Sequence, residues 1–239
     1  MIKRSLIVLL GVTFLINFNG CRGSSVVLKK PATPIKRVAI ASFTVSDWGG
    51  SVKSGSVGSN SVSNLINGTL GKLVSSTEKS LSKRFKVKSV KKFITNKTYQ
   101  KLGSEKVLTV YTPVLRKKSM PVFTTVSREL KGGMIKPETA KALCKTLKVD
   151  AIVLIFSEWT VKQGGFIPIT KAVSKNVFTM WDRDGNIIAR KRIDKMGTKT
   201  LGAMGIKAVN EDTINEWGDT SRQSLEQIIL SKEVSGLTR

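Results

Sequence analysis

The chain has 239 residues, and its 41 lysines and arginines against 16 aspartates and glutamates give a formal net charge of +25. It contains two cysteines and no histidine, so the commonest general base and metal ligand is excluded. The length provides for one substantial hydrophobic core or two small ones. The positive charge favours anionic partners such as lipid headgroups, wall polymer or nucleic acid.

The first two dozen residues combine a positive start, a short apolar segment and a cysteine. Lys3 and Arg4 precede the apolar residues 6–18, a run shorter than the ~20 residues that span a bilayer core. This order is typical of a secretory signal peptide. Because Gly20 and Cys21 follow directly, the segment resembles a bacterial lipoprotein signal. The alternative is an ordinary signal peptide in which the cysteine is incidental.

The lipoprotein resemblance implies cleavage between Gly20 and Cys21 and a covalent diacylglycerol and acyl chain, such as palmitate, on Cys21. Cys144 then remains a lone thiol without a disulfide framework, and no other cofactor is expected. The resemblance also implies an outer-membrane lipoprotein that faces the periplasm, with exposure to the outside left open.

This reading divides the chain into three parts. We expect a signal peptide over residues 1–20, a lipidated tether over residues 21–36 and a single domain over residues 37–239. Fully extended at ~3.3 Å per residue, the tether would hold the domain up to ~50 Å from its membrane.

The first half of the predicted domain begins with a buried strand. Residues 37–45 (RVAIASFTV) are a mostly apolar run, and a Gly/Ser-rich loop over residues 49–61 follows it. Apolar residues at helical spacing predict a long helix between residues 62 and 85. Residues 85–93 (FKVKSVKKF) predict a lysine-rich edge strand, and residues 105–115 predict a further extended segment.

The second half begins with a helix that Pro137 opens and that carries Cys144 on its apolar face. Residues 151–156 (AIVLIF) are typical of a strand covered on both sides. Two extended runs around DRDG, over residues 175–193, predict a hairpin, and Asn210 caps a final helix. The whole order predicts one α/β domain with helices packed on a mixed sheet.

Three stretches together resemble a family. They are KRVAIASF with its loop and long helix, TAKALCKTLKVDAIVLIFSEW, and a hairpin of the WDRDGNII kind before a terminal helix. They are similar to bacterial outer-membrane lipoproteins related to the curli-secretion component and the penicillin-binding-protein activators, over most of residues 37–231. The resemblance implies an anticodon-binding-domain-like fold and a non-catalytic role in envelope assembly or regulation, with a homo-oligomer left open.

Two surfaces are candidates for binding. The longest basic cluster carries Lys86, Lys88, Lys91 and Lys92, which are candidate ligands for anionic wall polymer or lipid headgroups. Nucleic acid is disfavoured because few aromatic residues accompany the basic ones.

The second candidate surface is the apolar loop GGFIPIT. It places Phe166, Ile167 and Ile169 between glycines and a proline, and such apolar groups mark contacts when they are exposed. We expect them to dock an envelope protein; covering the core and inserting into lipid are the alternatives.

Catalytic motifs are weak in this sequence. Ser76 with Lys79 and Ser80 with Lys83 have the spacing of serine acyl-enzymes, but the accompanying motifs are missing. DRDGN mimics the start of a calcium loop without its final glutamate. We therefore expect a binding protein, with a periplasmic enzyme using serine–lysine or carboxylate chemistry as the alternative.

Overall fold

The computed structural model describes residues 24–26, 30–46, 53–54, 59–104, 110–164, 169–203 and 208–238. Residues 1–20, with the predicted signal peptide, and Cys21 lie outside them. Most of the predicted Gly/Ser loop also lies outside.

A mixed sheet of eight strands forms the centre of the domain. Its strands are β1 (Ser24–Val26), β2 (Arg37–Ser46), β4 (Lys86–Val87), β5 (Val110–Tyr111), β8 (Ala151–Gly164), β9 (Ile169–Asp182), β10 (Ile187–Met196) and β11 (Gly202–Ala203). The order is β1-β10-β9-β8-β2-β4, with β11 beside β9 and β5 beside β2. β2 runs parallel to β4 and β8, whereas β8, β9, β10 and β1 are successively antiparallel.

Two small pairs lie outside this sheet. β3 (Lys53–Ser54) pairs in parallel with β12 (Ala208–Val209). β6 (Val114–Leu115) and β7 (Lys118–Ser119) form a short antiparallel pair. The extended segment predicted over residues 105–115 is therefore two short strands within its described part.

Helices cover both faces of the sheet. They are α1 (Ser59–Ser82), α2 (Lys97–Lys101), α3 (Ser127–Gly132), α4 (Pro137–Leu147), α5 (Glu211–Ile229) and α6 (Lys232–Ser235). On one face the Trp159 indole donates to the Ser221 hydroxyl of α5, at 3.0 Å. On the other face the Trp181 indole donates to the carbonyl of Gly133, directly after α3, at 3.0 Å. The single α/β domain with helices on a mixed sheet is thus confirmed.

The helices α4 and α5 form where local signals predict them. Pro137 occupies the first turn of α4, whose buried face includes Leu143 and Cys144. The Asn210 side chain accepts the N–H of Thr213 at 2.9 Å and so caps α5. Both predictions are confirmed because periodicity and caps act over a few neighbouring residues.

The hairpin predicted around DRDG is also confirmed. Asp182 accepts the N–H groups of Asp184 and Asn186 at 2.9 and 2.8 Å, so one carboxylate holds the whole turn. Gly185 has φ +76°, and a Cβ there would come within 2.8 Å of the Pro137 carbonyl oxygen. The calcium-like motif is therefore a structural turn.

The lysine-rich strand is shorter than predicted. Only Lys86–Val87 pairs with the sheet, at its edge, and Val90–Lys92 forms a 3₁₀ turn. Glu78 of α1 accepts the N–H of Val90 at 2.6 Å and the hydroxyl of Ser89 at 3.0 Å. These contacts bend the chain away from the sheet, so the prediction of a strand over residues 85–93 is wrong beyond Val87.

The expected tether differs from the structure at two places. Ser24–Val26 is the edge strand β1, with Ser24 opposite Arg192. Ile35 is buried, and its N–H donates to the carbonyl of Leu237 at 2.9 Å. An unpaired strand edge offers free backbone groups that a passing segment can satisfy. The folded domain therefore includes parts of residues 21–36.

Candidate functional site

The apolar candidate loop belongs to the long hairpin of β8 and β9. Phe166 and Ile167 lie outside the described residues, as does the predicted cleavage site at Gly20 and Cys21. Ile169 begins β9 opposite Gly164, at the far end of the hairpin, and is partly exposed. Of the three predicted residues, the structure thus positions Ile169.

Beside Ile169 lies a depression of about 540 Å³, which we call the hairpin-tip pocket. The Met196 side chain, at the end of β10, is 44% exposed there. Together with Ile169 it forms apolar surface in a groove, and such surface commonly marks a contact site. Its lining includes Lys162, Gly164, Ile169, Lys171, Met196 and Thr198.

Two lysines lie opposite each other in this pocket. Lys162 of β8 and Lys171 of β9 are direct cross-strand partners. Like charges in that position are destabilising. Within the described residues, no acidic side chain forms an ion pair with either lysine, whereas Lys175 further along β9 pairs with Glu158 at 2.6 Å. The pocket therefore combines apolar surface with positive charge that has not been neutralised.

The helix α5 holds the wall of the pocket in place. The buried Glu216 carboxylate accepts the N–H groups of Thr198 and Lys199 at 2.8 and 3.2 Å. The Trp217 indole donates to the carbonyl of Thr160 at 2.6 Å. Because these contacts reach both β8 and the segment after β10, the pocket has a preorganised frame.

The four lysines of the predicted basic cluster lie in different surroundings. The Lys88 ammonium donates a hydrogen bond to the carbonyl of Leu147 at 2.8 Å, so it caps the C-terminal end of α4. Lys91 and Lys92 are exposed on the 3₁₀ turn. Lys86 instead lines a different depression, at the end of the sheet where β2 and β4 begin.

That depression contains residues that sequence reasoning missed. Asp150, just before β8, is buried and forms ion pairs with Arg37 and Arg183. Lys36 and Lys86 line the same depression. These residues are scattered along the chain, so no local sequence pattern predicts a site there. The register of the sheet brings them together.

One residue of each serine–lysine pair makes a structural contact. The Ser76 hydroxyl donates to the carbonyl of Leu73 at 3.0 Å, one turn earlier in α1. Lys83 forms an ion pair of 3.0 Å with Glu226 of α5. Among the described residues, no group of three or more Cys, Asp or Glu side chains is placed to hold a metal ion. In the same part of the chain, no helix has the length and apolarity of a membrane crossing.

Comparisons with known proteins give structural neighbours alone. No protein-family model and no curated protein matches the sequence. A PelC dodecamer from Paraburkholderia phytofirmans is similar with a TM-score of 0.31 and 6% identity, covering 90% of this chain and 97% of that chain. A dodecamer of a substituted PelC from the same organism has a TM-score of 0.26 and 9% identity, covering 87% and 97%.

Proposed function

We propose that this protein is a lipid-anchored, non-catalytic binding module of the bacterial cell envelope. Its hairpin-tip pocket docks an acidic segment of another envelope protein, in an assembly or regulatory role. The observation that carries this proposal is the cross-strand pair Lys162 and Lys171, which has no acidic partner among the described residues.

Charge is the first reason for an acidic partner. Cβ atoms of directly opposed residues are about 4.5–5.5 Å apart, so two ammonium groups there repel each other. Carboxylates from a partner would replace this repulsion by two favourable pairs. Complementary charges across an interface steer the two proteins together and exclude partners of the wrong charge, so such pairs raise the rate of association and the specificity.

Shape is the second reason. Ile169 and Met196 present apolar surface in a concave site, and interfaces draw most of their binding energy from a few side chains that fill desolvated pockets. A single apolar anchor of the partner, flanked by acidic residues, would fill the pocket and face the lysines. Because the site is concave, it accommodates a protruding side chain better than it would contact the flat surface of a bilayer.

The lipid anchor would hold the domain closer to the membrane than a fully extended tether over residues 21–36 would allow. Three peptide units separate Cys21 from Ser24, the first residue of β1, and span at most about 10 Å. Lipid on Cys21 would therefore hold the β1–β10 edge of the sheet close to the membrane. The domain would work at the bilayer surface and reach partners that are themselves membrane-bound.

Lipidation is expected at Cys21 and at no other residue. Radiolabelled palmitate should enter the wild-type protein in growing cells and should be absent from Cys21→Ser. Cys144→Ser is the matched control, because it removes the other cysteine and should keep the full label. Equal labelling of wild type and Cys21→Ser would contradict the anchor.

Partner capture should depend on the two opposed lysines. A photo-crosslinking residue at Gln163, which lines the pocket, should capture an envelope protein in intact cells. The double variant Lys162→Glu/Lys171→Glu should reduce that product at least tenfold, because it turns attraction into repulsion. Ile169→Asp should reduce it similarly by placing a charge in the apolar contact. Phe166→Ser and Ile167→Ser, in the adjoining loop, are expected to act in the same direction.

Matched controls separate this site from general charge. Lys91→Glu/Lys92→Glu makes the same charge change on a distant exposed turn and should leave the product unchanged. Val126→Asp is the control for Ile169→Asp: it adds a carboxylate at another exposed apolar position, before α3, and should also leave the product unchanged. Replacing the partner's acidic residues by lysine should restore capture by the charge-reversed pocket. Crosslinks to lipid, to anionic polymer or to a second copy of this chain would each overturn the proposed partner.

A further inference from the structure

A second site lies at the opposite end of the hairpin from the hairpin-tip pocket. It is a depression of about 610 Å³, beside the starts of β2, β4 and β8 and the turn between β9 and β10. We call it the sheet-end depression. Its lining includes Thr33, Lys36, Arg37, Lys86, Asp150 and Arg183.

Backbone hydrogen bonds tie the lining residues to one another. The N–H of Lys86 donates to the carbonyl of Lys36 at 2.8 Å, and the N–H of Asp150 donates to the carbonyl of Arg37 at 2.9 Å. The N–H of Arg183 donates to the carbonyl of Asp150 at 3.1 Å. All the charged residues of the depression therefore start from fixed positions on the sheet and its turn.

The charges in the depression do not balance. Four cationic side chains face one carboxylate, that of Asp150. Lys36 and Lys86 form no ion pair with any described residue, and the side chains of Arg37 and Arg183 are 53% and 54% exposed. Cations gathered on one side of a depression attract anions, and low-dielectric walls strengthen that attraction.

Asp150 aims the two arginines into the depression. Its Oδ1 accepts a hydrogen bond from an N–H group of Arg37 and another from an N–H group of Arg183, so the two guanidinium groups converge on one atom. Its Oδ2 accepts the N–H groups of Lys36 and Arg37 at 3.1 and 2.8 Å. A guanidinium has five N–H donors, so each arginine retains donors for a ligand.

Asp150 stays ionised in this setting. Burial alone would raise the pKa of its carboxyl group, but the N–H groups of Arg37 and Lys36 and the guanidinium groups of Arg183 and Arg37 lower it overall. The carboxylate can therefore hold both arginines at neutral pH. The negative charge of Asp150 also explains why the two positive guanidinium groups of Arg37 and Arg183 are tolerated so near each other.

We propose that the sheet-end depression binds a phosphate-bearing ligand with two or more negative charges. Planar guanidinium donors match the oxygens of a phosphate in pairs, and the lysines add point charges at the rim. One carboxylate offsets one of the four cations, which leaves positive charge for more than one anionic group. A lipid headgroup and a soluble phosphate ester share this chemistry.

Equilibrium binding of labelled pyrophosphate to the full chain, at physiological salt, tests the site. We expect saturable binding with one site per chain. Lys36→Gln/Lys86→Gln should weaken it at least tenfold, because two charge-assisted contacts are lost. Lys91→Gln/Lys92→Gln is the matched control; it removes the same charge from a different surface and should change the affinity less than twofold.

Two results would overturn the site. One is binding that never saturates, and the other is an equal loss in both double variants, which would indicate general attraction to a basic protein. Displacement of pyrophosphate by phosphatidylglycerol vesicles, and not by phosphatidylcholine vesicles, would support the site with a lipid headgroup as ligand. Displacement by glycerol phosphate without any effect of the vesicles would support it with a soluble ester.

Asp150→Asn distinguishes positioning from charge. The variant raises the net charge of the depression, so a purely electrostatic surface would bind pyrophosphate more tightly. If Asp150 orients Arg37 and Arg183, binding should instead weaken severalfold while the melting curve still shows a folded protein. Tighter binding of pyrophosphate by the folded variant would contradict the proposal that Asp150 orients the two arginines.

Discussion

Replacing Cys144 by aspartate should lower the free energy of unfolding by about 3–5 kcal/mol, because it leaves an unpaired charge in the core. Cys144 lies on the buried face of α4 and is 2% exposed. The pKa of its thiol is raised to about 12: burial is the largest cause, the Asp182 and Asp150 carboxylates act in the same direction, and Arg183 opposes them. An ionised carboxylate at this position would meet the same burial and the same two like charges.

Urea unfolding at pH 8, followed by tryptophan fluorescence, measures this loss. Lys145→Asp is the matched control, because it places a carboxylate on the neighbouring exposed position of the same helix. It should cost about 1 kcal/mol or less, from the helix dipole. The loss in Cys144→Asp should also be smaller at pH 4 than at pH 8, since the buried acid is tolerated better when it is protonated.

The native thiol gives an independent check. In Cys21→Ser, Cys144 is the single cysteine of the chain. A thiol reagent at pH 8 should modify it slowly in the folded protein and rapidly in denaturant, because the thiolate is the reactive form. Fast modification of the folded protein, or a loss in Cys144→Asp no larger than in Lys145→Asp, would contradict the core role.

Replacing Trp217 by alanine should lower the free energy of unfolding by about 3–5 kcal/mol. Trp217 is fully buried between α5 and the sheet, and its ring stacks on Trp159 with centroids 5.6 Å apart. Its indole also donates to the carbonyl of Thr160. The substitution would leave a cavity, remove the stacked pair and take away the indole donor of the half-buried Thr160 carbonyl.

Trp217→Phe separates the ring from its hydrogen bond. It keeps most of the packing and loses the N–H, so it should cost about 0.5–1.5 kcal/mol, the net contribution of a typical hydrogen bond, because the Thr160 carbonyl is only half-buried. Urea unfolding followed by far-ultraviolet circular dichroism suits both variants, because one fluorophore is removed. Equal losses in the two variants would show that the hydrogen bond, and not the packing, dominates at this position.

Local patterns predicted the regular elements well. The spacing of Leu143, Cys144 and Leu147 indicates the buried face of α4, and Asp182 with Gly185 indicates the hairpin turn. Each signal depends on neighbours within a few residues, which a sequence displays directly. The α/β class follows from the order of such elements.

The departures have a common physical origin in distant contacts. Glu78 of α1 captures the backbone of Val90 and ends β4 early. The edge of β10 recruits Ser24–Val26 from the expected tether. Neither contact has a short-range signature, because the partner of each segment comes from another part of the chain.

The candidate sites divide in the same way. The sequence alone predicted the apolar character around Ile169 and the basic stretch that contains Lys86 and Lys88. Only the tertiary structure decided that Lys88 serves the carbonyl of Leu147 while Lys86 joins Arg183 beside Asp150. Residue type and local spacing are properties of the chain, so a sequence determines them; which charges meet depends on strand order and register, and these exist only once the sheet has formed.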